Sequence, residues 1–136
     1  MESRQIATTP DPYAPFHISQ AIRAGDFIFV SGQAALSDTG EIVGVGDFDA
    51  QAEATFSNLR KILEAAGSTL KQVVKVTIFL TDMSHFPKMI DLRARHFTKP
   101  YPADTIVEVR QLALPELMIE IEAVALTSGE ILPART

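Results

Sequence analysis

A strand carrying two carboxylates among apolar neighbours is the part of this chain best equipped for chemistry. Residues 117–126 read Leu117-Met118-Ile119-Glu120-Ile121-Glu122-Ala123-Val124-Ala125-Leu126. Alternation puts Leu117, Ile119, Ile121, Ala123 and Ala125 on one apolar face, and Met118, Glu120, Glu122, Val124 and Leu126 on a mixed one. A face that mixes acids with Met, Val and Leu is expected to line a subunit interface or a pocket. Upstream, Pro102-Ala103-Asp104 begins a second strand whose start brings Asp104 toward those carboxylates. Two close carboxyl groups raise one apparent pKa, setting an acid beside a base, and such a pair also binds an amine. Plainer readings stand beside these: Glu120 as one half of an interface ion pair with Lys75 or Arg110, Glu122 as structural, and Asp104 as a solvated turn carboxylate.

Ser31-Gly32 closes a strand with a glycine, which suits backbone donors or acceptors presented to a ligand, or a simple turn. His85 and His96 have no metal-ligand spacing with each other or with nearby acids, so no metal is expected. Gly44-Val45-Gly46 is too short for a phosphate-binding fingerprint.

The elements that must position these residues follow from patterning. Residues 26–32, Asp26-Phe27-Ile28-Phe29-Val30-Ser31-Gly32, form a strand after a turn at Ala24-Gly25, and a hairpin is expected there. Asp38-Thr39-Gly40 is another turn, and Asp47 or Asp49 caps a helix. In that helix Ala52, Phe56, Leu59, Ile62, Leu63 and Ala66 recur at three- and four-residue steps until Gly67. Residues 73–82 alternate as a central strand with Val74, Val76, Ile78 and Leu80 on the apolar face. Ser84 is expected to cap a second helix, with Pro87 in its first turn and Pro100 and Pro102 beyond its end. The order implies an α+β fold with one mixed sheet and both helices on one face. The other face would carry Phe79, Ile106, Met118, Val124 and Leu126 together with Lys75, Glu108, Arg110, Glu120 and Glu122, and symmetric self-association would bury it.

The chain's 136 residues suit one domain, residues 1–136, with an extended N-terminal segment over 1–16 and a tail over 127–136. Cysteine is absent, which excludes disulfides and thiolate chemistry. No apolar stretch is long enough to span a bilayer, and Met1-Glu2-Ser3-Arg4 leads to Pro10-Asp11-Pro12 rather than to a signal-peptide core, so a cytoplasmic protein is expected. A net charge of −5 without a basic stripe makes nucleic acid an unlikely main partner.

Several segments together resemble the Rid family of reactive-intermediate deaminases, also called YjgF-like. They are Ser19-Gln20-Ala21-Ile22, Phe29-Val30-Ser31-Gly32-Gln33, Ala65-Ala66-Gly67, the run from Val74 to Met83, and Ile119-Glu120-Ile121-Glu122-Ala123, in the family's order and spacing from about Ile18 to Leu126. The resemblance implies a chorismate-mutase-like fold and a homotrimer with clefts between neighbouring subunits. It also implies cofactor-free hydrolysis of small enamines or imines, in which Glu120 positions water or shuttles protons. A family arginine that clamps the substrate carboxylate falls at Asp104 here, which is expected to repel such substrates. Ile106 replaces a frequent cysteine and Ile90 a frequent asparagine. Ala14-Pro15-Phe16-His17 replaces the Gly-Pro-Tyr segment, with two inserted residues and no tyrosine hydroxyl. On this reading His17 stands in as a proton shuttle or is an inert loop residue, and Arg93 replaces the clamp or is a surface helix residue. The expected site is therefore Glu120 and Asp104, with Phe16, His17, Ser31, Gly32, Ile90, Arg93 and Ile106 around the ligand. A ligand-binding or chaperone-like protein that has kept the cleft without the activity is the competing reading.

Overall fold

The computed structural model describes residues 1–135. Of the expected C-terminal tail, Thr136 lies outside the described residues. Six strands, β1 (Ser3–Ile6), β2 (Ala21–Ala24), β3 (Phe27–Gln33), β4 (Val73–Leu80), β5 (Ala103–Glu108) and β6 (Ile119–Leu126), form one sheet in the order β1-β2-β3-β6-β4-β5. All neighbours are antiparallel except β4 and β5, which are parallel and joined through the helix α2 (Phe86–His96). The long helix α1 (Phe48–Ala65) joins the β2–β3 hairpin to β4. The α+β class, the mixed sheet and the hairpin match the sequence expectation, and part of the segment expected to be merely extended pairs as β1.

Both helices cover the same face. Phe48, Ala52, Phe56, Leu59, Ile62 and Leu63 of α1 and Met89 and Leu92 of α2 are buried against Ile28, Val30, Val76, Ile78, Ile119 and Ile121. Each fully buried Val, Leu, Ile, Phe or Met side chain among these contributes about 1.5–3 kcal/mol relative to leaving it in water. The helix α1 starts where the Asp47 carboxylate accepts a bond from the Ala50 amide at 3.0 Å. It stops at Gly67, whose φ of +79° is open to glycine without strain.

Four local expectations are corrected. A register shift between Val73 and Lys75 puts Val73, not Val74, on the core face with Val76, Ile78 and Leu80. Asp82, not Ser84, supplies the capping carboxylate before α2, accepting from the Ser84 amide at 2.9 Å, and a short 3₁₀ turn (Met83–His85) intervenes. Ile106 lies opposite Ile78 and packs against the main core, so it belongs to the helix face rather than the open one. Glu108, opposite Leu80, likewise turns away from the open face and accepts the Met83 amide at 2.8 Å.

Among the described residues no helix lies over the second face of the sheet. Phe27 and Phe29 are 44% and 49% exposed there, beside Leu126 and Val124 on the neighbouring strand. A hollow of about 180 Å³ on this face is lined by Phe29, Lys75, Thr77, Glu122 and Val124 among others.

Candidate active site

Glu120 projects from β6 onto the open face, opposite Phe79 of β4. On the other side β3 departs from regular pairing: Val30 faces Ala123 and Gln33 faces Ile121, so Ser31 and Gly32 together span the single residue Glu122. This bulge makes room for the carboxylate. A Cβ built on Gly32 would stand 2.6 Å from Glu120 Cδ and Oε1 and 2.9 Å from Cγ, so the glutamate rests directly on the glycine. The bulge is held from both sides: the Ser31 hydroxyl donates to the Ser19 carbonyl at 2.6 Å, and the Gln33 amide donates to the Ser31 carbonyl at 3.0 Å.

Tyr13 completes this half of the site, and the sequence reading, which found no tyrosine hydroxyl here, is corrected by it. It is a buried residue whose hydroxyl donates to the Gly32 carbonyl. Burial first, then the negative charges of Glu120 and Asp11, holds that hydroxyl protonated well above the usual phenol range. The signal was Asp11-Pro12-Tyr13: the Asp11 carboxylate accepts the Tyr13 amide at 2.9 Å and turns the chain so that the ring points inward.

Glu120 itself is half-buried, and burial, reinforced by the charge on Glu122, lifts its carboxyl above the usual range. Among the described residues no cation lies within 4.0 Å of it. The ion pair considered with Lys75 or Arg110 is not formed within the chain, and Lys75 instead donates to the Thr105 hydroxyl at 2.7 Å. A carboxylate with a raised pKa, no counter-ion and a fixed backbone seat has the properties of a general base.

The other expected residues sit elsewhere. Asp104 lies opposite the buried Val76 and therefore on the helix face, so it is not brought to Glu120 in the same chain. Its carboxylate instead takes a two-pronged hydrogen bond from Arg93 of α2, Nε to Oδ2 at 2.8 Å and Nη2 to Oδ1 at 3.1 Å. The two charges cancel locally, which corrects the expectation of a bare repelling carboxylate and equally that of a free Arg93. Ile90, one helical turn before Arg93, is 59% exposed, and Ile106 of β5 is half-buried against the core. Phe16 is 60% exposed at the end of a 3₁₀ turn (Ala14–Phe16), and His17 follows with φ of +59° and its side chain at the surface.

The expected residues thus separate into two groups. Glu120, Gly32 and Ser31 lie about the β3 bulge, whose Gly32 carbonyl the Tyr13 hydroxyl reaches; Asp104, Arg93, Ile90 and Ile106 lie at the β5 edge and on α2. His85 and His96 are engaged elsewhere, stacked on Phe48 and Phe56 with ring centroids 4.0 Å and 4.3 Å apart.

Comparison with known proteins adds three findings. The family model described as Endoribonuclease L-PSP matches residues 7–127. A RutC family protein of Pyrococcus horikoshii is 45% identical over 117 residues, 85% of this chain and 90% of its own length, and the 2-iminobutanoate/2-iminopropanoate deaminase of Dermatophagoides farinae is 33% identical over 128 residues, 91% of this chain and 97% of its own. The crystal structure of yeast Mmf1 superposes with a TM-score of 0.85 at 33% identity, covering 93% of this chain and all of that one.

Proposed function

Because the chain belongs to the Endoribonuclease L-PSP family, the Rid family, we propose that it is a small-molecule hydrolase of imines or enamines whose sites close between neighbouring copies of a homotrimer. The observation that carries the reading is Glu120: half-buried, without a counter-ion, seated on Gly32 beside the Tyr13 hydroxyl. In the proposed reaction Glu120 takes a proton from a water as its oxygen attacks the C=N carbon. The proton passes to nitrogen, the carbinolamine collapses to a carbonyl, and ammonia leaves. Water and imine are the only reactants, and no cofactor or metal enters the scheme.

The trimer is supported by geometry. The two residue groups lie on opposite faces of one sheet, so one chain cannot wrap a ligand between them. A neighbouring copy packed on the open face is the economical way to bring a β5 edge to a β3 bulge, and it buries Phe27 and Phe29 as well. Light scattering is expected to give a single trimeric species at micromolar concentration; a stable monomer would count against the reading.

The substrate class is proposed to differ from that of the deaminase relative. With Arg93 committed to Asp104, the clamp position offers no net positive charge, so substrates without a carboxylate are favoured over 2-imino acids. The test is ammonia release from 2-iminobutanoate and from neutral imines of similar size, with the wild type and with Glu120→Gln. Faster turnover of the neutral imine and a loss of about 10²-fold or more in the variant are expected. Full activity in Glu120→Gln removes the proposed mechanism. The same Asp104–Arg93 pair favours a second reading, a ligand-binding protein without turnover, which gains if neither substrate class releases ammonia.

A cytoplasmic location is part of the proposal, and the cysteine-free composition is compatible with it. Among the described residues no helix is long and apolar enough to cross a membrane. A Saccharomyces cerevisiae relative, MMF1, is named as mitochondrial, so cell fractionation is the deciding measurement.

A further inference from the structure

On the helix side of the sheet the N-terminal residues 8–13 bridge from β2 to the turn at residues 36–38 and to α1, with Tyr13 as the wall shared with the Glu120 site. They enclose a cavity of about 230 Å³. Pockets for drug-sized ligands measure roughly 300–1,000 Å³, so this space suits a smaller metabolite. Its walls divide by chemistry. Pro10, Pro12, Leu36, Ile62 and the Tyr13 ring make an apolar end.

The polar end contains Gln33, only 3% exposed. Its amide nitrogen is committed to the Ser31 carbonyl, while among the described residues its Oε1 has no hydrogen-bond partner. Gln33 Oε1 is accessible from the cavity, so its spare acceptor is open to a donor from water or from a bound ligand. At the rim stand Lys61, with no carboxylate within 4.0 Å among the described residues, and Asp38, likewise without a cation. Opposite charges held apart at one mouth fit a ligand that carries both signs. The lining thus offers acceptors for an ammonium group in Gln33 Oε1 and Asp38, a cation for a carboxylate in Lys61, and apolar surface for an aliphatic side chain.

We propose that this cavity is a second ligand site, divided from the Glu120 carboxylate by Tyr13, for a small aliphatic α-amino acid. Its occupant is recognised as a zwitterion and is bound, not turned over.

The probes are L-valine, isobutylamine, which lacks the carboxylate, and isovalerate, which lacks the ammonium. Each is titrated into the full chain and followed by amide chemical shifts. L-valine is expected to saturate, with perturbations at residues 8–13, 33 and 61, and to bind at least tenfold more tightly than either truncated probe. Lys61→Met should weaken L-valine at least tenfold without unfolding, since Lys61 is exposed and unpaired, whereas Glu120→Gln should bind L-valine as the wild type does. Absence of a saturable shift with L-valine up to its solubility limit overturns the proposal, as does unchanged affinity in Lys61→Met. Loss of binding in Glu120→Gln would place the ligand at the other site and also overturn it. None of these readouts depends on hydrolysis, so a failure of the hydrolase reading leaves the result interpretable.

Discussion

Replacing Gly32 by alanine should disable Glu120 without touching it. The backbone at Gly32 is not in the left-handed region, so alanine is tolerated there conformationally. The new Cβ would stand 2.6 Å from Glu120 Cδ and Oε1, where ordinary contact begins near 3.4 Å, so the carboxyl group must withdraw by about 0.8 Å. Because Cγ at 2.9 Å is crowded too, the withdrawal involves χ1 or χ2 and not only the terminal torsion. Forcing a side chain off its rotamer costs about 0.5–1.5 kcal/mol, which a domain of this size survives. Misplacement of a catalytic group by about 1 Å costs roughly 10²-fold in rate. The expected outcome for Gly32→Ala is therefore a small drop in melting temperature with a loss of turnover approaching that of Glu120→Gln. A reading free of substrate is the titration of the Glu120 carboxyl carbon by NMR, which should move when the group leaves its seat. If Gly32→Ala keeps wild-type turnover and an unchanged Glu120 titration, the close approach has no functional consequence and the site has been misread.

Other outcomes follow from the same geometry. The Glu120 pKa is raised from an ordinary 4.5 in the folded chain, so the folded state holds the proton more tightly than the unfolded one. The stability it contributes is fully present below pH 4.5 and is lost as pH rises through the elevated value. Glu120→Gln, which cannot ionise, should thus unfold at higher denaturant than the wild type at neutral pH, with the difference vanishing in acid. Asp104→Ser frees the Arg93 guanidinium and should raise turnover of 2-iminobutanoate relative to neutral imines, at a stability cost of about 1 kcal/mol or less, as for other partly exposed pairs; unchanged selectivity means Arg93 does not reach the substrate. Gln51 is fully buried, donates to the Gly44 and Glu116 carbonyls and accepts the Met118 amide. Gln51→Leu strands those groups and should cost about 2–4 kcal/mol in chemical denaturation, with the earliest hydrogen exchange at residues 44–46 and 116–118.

What the sequence determined by itself was local and periodic. The alternation of residues 119–126, the apolar steps of α1 and the stops at Gly67 and Pro100 are encoded in short windows, because strand and helix periods need only near neighbours to show. Glu120 and Gly32 could be named for the same reason, one as a charge misplaced on an apolar strand, the other as a glycine ending one. Faces across the sheet were decided by register, which depends on pairing between distant strands. The bulge at Val73 to Lys75 exchanged Val74 for Val73, and the parallel register with β4 turned Asp104, Ile106 and Glu108 to the helix side. Charge partners were decided in the same way: Asp104 is answered by Arg93, 11 residues away on a helix, and not by the strand carboxylate it was expected to meet. Tyr13 and Gln33 escaped the sequence for one physical reason. Asp11-Pro12 marks a turn before Tyr13, but no local pattern shows that its hydroxyl will meet Gly32 or that Gln33 will be buried with an acceptor to spare; only the closing of residues 8–13 over α1 and the sheet puts them there.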